Sequence, residues 1–312
     1  MSAAQGEYPV PDRLNTALVL VVAGAWAGLL ALAARVEDPL ALTGVTLAFA
    51  LLFQTNFALF HEASHLKLHS RPRWNRGLGT VCGALFGMSA AMFEVTHWSH
   101  HLKNRTDQEM FDLYYPHQSR LGRSAVWYGT LLGLLWPLTL LLSLGTLLVP
   151  GLTRRAAERV GIAERVFQQG PGLVRRIRLE LCLGAAAHAG LLAALAVPWP
   201  RLLLLYGAAA WLWSSSNYLE HVRAPRDVVR GAFNLRAPWP YGWINLHREW
   251  DLNHHLRPEV PWLYLPALAA PGPPRRSWLR HWLGQWSGLR PAREPGPAPL
   301  TAWPPQAAEP PA

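Results

Sequence analysis

The sequence has few cysteines and few charged residues, and both shortages narrow the class of protein. Cys82 and Cys182 are its two cysteines, and each lies inside an apolar run, so we expect neither a disulfide framework nor a CxxC metal site. Charged residues make up 15% of the chain, whereas about 25% is usual in soluble proteins. Glu7 and Asp12, rather than a basic segment, precede the first apolar run, so we expect no cleavable signal peptide.

Long apolar runs are what the sequence has instead, and they predict a polytopic membrane protein. Runs long enough to cross a hydrocarbon layer of about 30 Å predict four transmembrane spans. These spans cover residues 16–34, 40–60, 179–197 and 201–216. The run 78–93 is short and glycine-rich, and the run 125–149 is interrupted by Pro137, so we interpret both as re-entrant or interfacial segments.

The distribution of basic residues predicts the orientation of the spans. With four spans, 27 of the 29 Lys and Arg residues lie on one face, and only Arg35 and Arg201 lie on the other. The positive-inside rule makes the basic face cytoplasmic. The net charge of +10 fits loops that face anionic lipid, and because the arginines form no single basic stripe, we expect no nucleic-acid partner.

The predicted fold is an all-α membrane protein, with four transmembrane helices as two hairpins and a cytoplasmic helical cap. Residues 1–290 are expected to form a single integral-membrane domain. The segment 291–312 is rich in proline and alanine and is expected to be a disordered tail. Both termini are placed in the cytoplasm.

Histidines cluster at positions that this topology brings to the cytoplasmic side. His97, His100 and His101 fall at i, i+3 and i+4, so on a helix they share one face. Three other groups of residues have a similar helical spacing. The four groups together supply the candidate metal ligands His61, His65, His97, His100, His101, Asn217, His221, Asp251, His254 and His255. These donors exceed the four or so that one zinc ion takes, and an imidazole-rich set without thiolates is typical of non-haem iron. The clusters predict a di-metal site in the cap.

The motifs HEASH, HWSHH, NYLEH and DLNHHLRPEVPW resemble those of the membrane fatty acid desaturase superfamily, from about residue 40 to residue 266. The resemblance implies a four-span fold whose cap holds two iron ions, with the eight histidines of these motifs as ligands. It also implies O2-dependent oxidation of an unactivated C–H bond in a lipid or acyl chain. The segment 258–262 looks most like bacterial acyl-lipid desaturases, so desaturation in a bacterial inner membrane is expected.

The resemblance further implies that electrons come from another protein. We see no fused cytochrome b5 or rubredoxin signature, so a separate ferredoxin or cytochrome b5-like donor is expected. The basic cytoplasmic face could dock an acidic donor.

One position departs from the family pattern. The last motif should begin with histidine, and this chain has Asp251 there. A carboxylate is a good iron ligand at the same spacing, so we interpret Asp251 as a replacement ligand. Alternatively, Asp251 orients a neighbouring imidazole and His247 is the ligand. Asn217 matches the asparagine that approaches one iron through water in acyl-CoA desaturases. The departure leaves hydroxylation or ketolation of a carotenoid, alkane or other lipid open.

Two other interpretations of the histidines use different chemistry. HEASH is also an HExxH motif, which in a zinc intramembrane protease would make Glu62 the general base. That hypothesis needs one third ligand and leaves the other clusters unexplained. A metal transporter would place its ligands inside the spans, whereas these clusters lie just outside them.

Several polar or aromatic residues have roles that the sequence leaves open. Glu62 and Glu220 are candidate acceptors for the N–H groups of ligand histidines, and Asp107 is a weaker one. His188 lies in a predicted span, where it either has a function or hydrogen-bonds to another helix. Four tryptophans have two possible roles, as anchors at the membrane interface or as walls of an acyl tunnel. They are Trp239, Trp243, Trp250 and Trp262.

Overall fold

Helices make up most of the fold. The computed structural model describes residues 7–149, 171–268 and 275–302. Its helices are α1 (Asp12–Arg35), α2 (Pro39–Ser64), α3 (Pro72–Phe86), α4 (Ala90–Lys103), α5 (Arg120–Leu131), α6 (Leu135–Leu148), α7 (Pro171–Leu195), α8 (Trp199–Ser216), α9 (Trp239–Ile244), α10 (Asp251–Leu256) and α11 (Trp278–Gln285).

Short turns join the long helices in two pairs, α1 with α2 and α7 with α8. Asp38 begins α2, because its carboxylate accepts a hydrogen bond from the Ala41 N–H at 2.7 Å and a proline occupies the first helical position. Arg201, near the start of α8, donates a hydrogen bond to the carbonyl of Ala33, near the end of α1. These contacts place Arg201 and the turn between α1 and α2 at one end of the helices.

The other end of the same helices carries the histidines. Nδ2 of Asn15, in the first turn of α1, donates to the carbonyl of Leu68 at 3.0 Å. Leu68 follows closely on His61 and His65, which lie at the end of α2. The start of α1 and the end of α2 are therefore together, at the end opposite to Arg201.

Two bent helix pairs cover the two segments that the sequence predicts to be re-entrant or interfacial. The axes of α3 and α4 differ by 90°, and those of α5 and α6 by 93°. Gly87 and Gly133 lie in the turns with φ of 86° and 103°, which glycine adopts without a steric penalty. Pro137 lies within the first turn of α6, so the break in the run 125–149 comes before the proline and not at it.

Within the described ranges, three helices are long and apolar enough to cross a membrane, namely α1, α2 and, from residue 172, α7. The number rises to five if each bent pair counts as one span. The 18-residue α8 is not among them, although the sequence predicts a span over 201–216. The described residues are thus mostly helical with three to five candidate spans.

Among the described residues, short elements also lie at the histidine end. They include two 3-10 segments, Leu219–His221 and Trp262–Ala267, and four two-residue strands. The strands pair in parallel, β1 (Leu113–Tyr114) with β4 (Arg290–Pro291) and β2 (Leu235–Arg236) with β3 (Arg276–Ser277). These strands are small exceptions to an all-helical fold.

The chain continues along this layer beyond residue 290, where the sequence places the start of a disordered tail. The N–H of Ala292 donates to the carbonyl of Tyr114 at 2.8 Å, and that of Leu300 donates to the carbonyl of Leu102 at 2.8 Å. Ala292 and Leu300 are therefore both hydrogen-bonded to earlier parts of the chain. The remainder of the predicted tail, 303–312, lies outside the described residues.

Aromatic side chains fill the core between the long helices. Trp26 is fully buried, and its ring centroid lies 4.7 Å from that of Phe49 in a tilted contact. Nearby, Nε2 of His188 hydrogen-bonds to the hydroxyl of Tyr206 on α8. This contact between α7 and α8 agrees with the interpretation in which His188 forms a hydrogen bond to another helix.

Candidate metal centre

Separate parts of the chain bring the predicted ligands to one end of the helices. The residues come from α2 (His61), the position after it (His65), α4 (His97, His100 and His101), the 3-10 turn at 219–221 (His221) and α10 (Asp251, His254 and His255). Ser89 caps the start of α4, because its hydroxyl accepts a hydrogen bond from the Met92 N–H at 3.2 Å. Helical spacing then places its three imidazoles on one face.

The first group of imidazoles converges on one point. His61, His65, His97 and His254 each have a ring nitrogen within 4.8 Å of the others. Nε2 of His97 lies 2.7 Å from Nε2 of His65. His101 also belongs to this group, because its Nε2 lies 3.1 Å from Nε2 of both His97 and His254. Ligands of one first-row metal lie roughly 3 Å apart, because each bond is about 2.0–2.1 Å long. The separations therefore fit one metal ion.

A second group consists of His100, His221 and His255, whose ring nitrogens also lie within 4.8 Å of one another. Oδ2 of Asp251 lies 3.2 Å from Nε2 of His221 and 3.6 Å from Nε2 of His255. The opposite ring nitrogen of His221, Nδ1, hydrogen-bonds to the carbonyl of Gly231 at 2.8 Å, which leaves Nε2 for a metal. Because Asp251 contacts that same Nε2, its position suits a ligand better than an orienting group.

The two groups are neighbours. The ring centroid of His101 lies 4.9 Å from that of His254 in the first group and 4.5 Å from that of His255 in the second. The three histidines of α4 thus alternate between the two groups, with His97 and His101 in the first and His100 in the second. The arrangement suits a pair of metal ions.

Burial controls the protonation of the candidate ligands that lie outside the candidate spans. It lowers the pKa of His254 to about 3, with a smaller contribution from the charge of His100. Burial also holds the pKa of His221 and of His255 well below the usual range, so both imidazoles stay neutral and can bind a metal. Burial raises the pKa of Asp251 to about 6, against the opposing charges of His100 and Arg248. A bound cation would supply the countercharge that a buried carboxylate requires.

Glu109 is a supporting residue that the sequence did not identify. Its Oε2 lies 2.6 Å from Nδ1 of His100, so it holds the imidazole with Nε2 available for a metal. Asp107, the candidate named from the sequence, is half-exposed and forms an ion pair with Arg226 instead. The two carboxylates are two residues apart in the loop after α4, and spacing alone does not distinguish them.

A buried ion pair supports the loop that carries Glu109. Arg105 is 1% exposed, and its guanidinium contacts the carboxylate of Asp112 and donates to the hydroxyl of Tyr218 at 3.0 Å. That hydroxyl donates in turn to the carbonyl of Glu109 at 2.7 Å. Arg105 has a φ of 60°, a conformation that non-glycine residues seldom adopt. The network links Glu109 to the 3-10 turn that carries His221.

Glu62 and Glu220, the candidate acceptors for imidazole N–H groups, instead contact a backbone N–H and a guanidinium. Oε2 of Glu62 accepts a hydrogen bond from the Trp262 N–H at 3.1 Å, while its Oε1 lies 3.8 Å from Nδ1 of His61. Oε2 of Glu220 lies 3.6 Å from the guanidinium of Arg248. Glu62 therefore ties α2 to the segment after the last motif.

His247 and Asn217 occupy different surroundings. Nδ1 of His247 lies 3.3 Å from Oε1 of Glu249, and His247 belongs to neither group of convergent imidazoles in the described residues. This position does not support His247 as the substitute for Asp251. Asn217 follows the last residue of α8 and lines a cavity together with His221 and Asp251.

That cavity has a volume of about 310 Å³ and is lined both by imidazoles of the two groups and by apolar side chains. Its apolar wall includes Phe57, Phe93 and Trp213. A second cavity of about 310 Å³ lies between α3, α6, α7 and α8, and Phe86 and Met88 line both. Among the described residues, Trp136 and Trp213 line the cavities, whereas Trp239, Trp243, Trp250 and Trp262 do not.

Fold and site together define a helical protein with candidate membrane spans and two adjoining sets of buried imidazoles at one end. The family model for fatty acid desaturases matches residues 38–289. The chain therefore belongs to the fatty acid desaturase family, which confirms the resemblance seen in its motifs and implies a membrane di-iron lipid oxidoreductase. No curated protein matches the chain.

Proposed function

We propose that this protein is a fatty acid or acyl-lipid desaturase, which uses O2 to introduce a double bond into a lipid acyl chain. The observation that carries the proposal is the pair of adjoining ligand groups, His61, His65, His97, His101 and His254 in one and His100, His221, Asp251 and His255 in the other. Both open towards apolar space. Asn217 is proposed to contact the second ion through water.

Each group fits an iron ion by the chemistry of its donors. Neutral imidazoles with one carboxylate and no thiolate suit iron, and the buried Asp251 carboxylate lies within 3.2–3.6 Å of two of them. Bound there, two iron ions would supply O2 activation and the oxidising power for C–H cleavage. The chain's own residues hold these donors, exclude water and position the substrate carbon.

The cavities support a long apolar substrate. The wall of the first cavity changes from histidines and Asp251 to phenylalanine and tryptophan side chains, so an acyl chain could lie beside the metal centre without exposing its carbons to water. The second cavity lies behind Phe86 and Met88 and would hold the part of the chain beyond the oxidised carbons. Two cavities in series match a substrate much longer than it is wide.

The membrane arrangement is also a proposal. We infer that α1, α2, α7 and α8 cross the bilayer as two hairpins, and that the bent pairs α3–α4 and α5–α6 are embedded from the cytoplasmic side. The contact between Arg201 and Ala33 supports it, because it places the two basic residues left outside, Arg35 and Arg201, at the same end. Residues 1–290 would then form one domain whose cap and termini are cytoplasmic, in a bacterial inner membrane.

The zinc protease hypothesis fits the site less well. Glu62 would have to activate a water molecule, yet its Oε2 accepts the backbone N–H of Trp262. The remaining imidazoles of both groups would also have no role.

The reductant is proposed to be a separate acidic ferredoxin or cytochrome b5-like protein that docks on the basic face.

Mass spectrometry of lipids and carotenoids from a host that expresses the protein tests the reaction. Loss of two hydrogens from an acyl chain, absent in a His100→Ala host, is the expected result. Gain of oxygen would instead identify a hydroxylase or ketolase. Purified protein should contain about two irons per chain. Active protein with one iron or none, or with zinc and peptidase activity, would overturn the proposal.

A further inference from the structure

A carboxylate on α7 lies at the bend between α3 and α4. Glu180 is 9% exposed and lies within the candidate span that begins at residue 172. Its Oε2 accepts hydrogen bonds from the hydroxyl of Ser89 at 2.7 Å and from the N–H of Ala91 at 2.9 Å. Its Oε1 accepts one from Nε of Arg176 at 2.7 Å. A buried carboxylate is costly unless it has such partners, so its presence requires an explanation.

The contacts of Glu180 fall on the start of the helix that carries three of the ligand histidines. Ser89 precedes the first residue of α4, and Ala91 is its second residue. The free N–H groups and the positive end of the helix dipole favour a negative charge there. Glu180 thus holds α4 from a helix about 90 residues later in the sequence.

Further contacts make α7 a support for both helices of the bent pair. On α4, Ala91 and Val95 form an apolar cluster with residues of α7, namely Leu173, Ile177 and Leu181. On α3, Ala84 lies so close to Gly184 that a Cβ at Gly184 would come within 3.2 Å of the Ala84 Cα. Glu180 lies between these contacts in sequence, at the corner where α3 turns into α4.

The position of α4 decides whether the imidazoles converge. His97 and His101 follow Ala91 by six and ten residues, which is about 9 and 15 Å along the helix. A tilt of about 10° at the start of α4 would therefore displace the imidazoles by about 1.6 to 2.6 Å. A functional site tolerates displacements of only about 0.5 Å.

We propose that Glu180 is a positioning residue, which fixes the orientation of α4 through Ser89 and Ala91 and thereby the placement of His97, His100 and His101 in the metal centre. The proposal rests on the metal centre proposed above. It assigns a role to a residue that lies in a different helix from every ligand.

Cobalt(II) binding to purified protein in detergent tests this role without relying on turnover. The affinity and the d–d absorption of bound cobalt report the donor set, and thermal unfolding is measured on the same samples. Glu180→Ala should weaken cobalt binding by about tenfold or more and alter the absorption, as loss of groups that orient ligands does elsewhere. Glu180→Gln keeps an oxygen for the Ala91 N–H but loses the ion pair with Arg176, so a smaller loss is expected.

Leu179→Ala is the matched control, because Leu179 is 57% exposed one residue earlier on the same helix. It should bind cobalt like the wild type. If Glu180→Ala and Glu180→Gln unfold at lower temperature but bind cobalt with wild-type affinity and absorption, Glu180 only stabilises the fold and the inference is wrong. If Glu180→Ala yields no folded protein, Glu180→Gln alone decides between these outcomes. Wild-type protein that binds no cobalt would overturn the metal centre itself.

Discussion

Oε2 of Glu109 lies 2.6 Å from Nδ1 of His100. A carboxylate hydrogen-bonded to one imidazole nitrogen fixes the tautomer and increases the basicity of the other nitrogen. The backbone carbonyl of Gly231 has the same relation to His221, at 2.8 Å. Two proposed ligands, His100 and His221, are therefore held by acceptors on their outer side, which leaves their Nε2 atoms available for a metal.

Glu109→Gln should weaken metal binding by about 10- to 100-fold at the second site, because a neutral amide is a poorer acceptor than a carboxylate. Iron content after dialysis against a chelator is the measurement, and about one iron per chain should remain. Glu259→Gln is the control, since Glu259 is an exposed carboxylate paired with Arg257. Two firmly held irons in Glu109→Gln would contradict the role given to this residue.

Asp251→Ala should likewise retain one iron per chain, because Oδ2 of Asp251 lies among the donors of the second group. Asp251→His, which restores the residue expected from the family pattern, should retain two. His247→Ala should also retain two, since His247 contacts Glu249 rather than either group. Loss of one iron in His247→Ala with none lost in Asp251→Ala would reverse the assignment of the ligand.

Part of this architecture follows from local sequence patterns. Helical spacing predicts that His97, His100 and His101 share a face, and apolar run lengths predict the helices that became α1 and α2. The turn at Asp38 and Pro39 is also a local signal, since a capping carboxylate and a first-turn proline mark the start of a helix. The family follows from motif order alone.

The remainder depends on contacts between distant segments. Periodicity does not reveal which imidazoles share a metal, because His100 and His101 are adjacent in sequence and belong to different groups. In the sequence, Glu180 is a single acidic residue in the apolar run 179–197, and nothing nearby indicates its contacts with Ser89 and Ala91. The glycine-rich composition of 78–93 predicts a re-entrant or interfacial segment, but it does not locate the 90° bend at Gly87.

Asp112→Asn should destabilise the protein strongly, by about 3–5 kcal/mol, because it leaves the buried Arg105 guanidinium without its countercharge. Thermal or denaturant unfolding in detergent measures the change. The control is Asp107→Asn, which breaks the more exposed pair with Arg226 and should cost at most about 1 kcal/mol. Equal effects of the two substitutions would show that burial does not determine the contribution of the Arg105 pair.

Leu140→Trp should shorten the substrates that the enzyme accepts. Leu140 lines the second cavity, and a larger side chain there would occupy the space behind Phe86 and Met88. Conversion of the longest acyl chains should fall several-fold, while chains that end before Met88 are converted as before. The products are measured by mass spectrometry of host lipids. Leu141→Trp is the control, because Leu141 is 65% exposed one residue further along α6. An unchanged chain-length profile in Leu140→Trp would show that the substrate does not reach the second cavity.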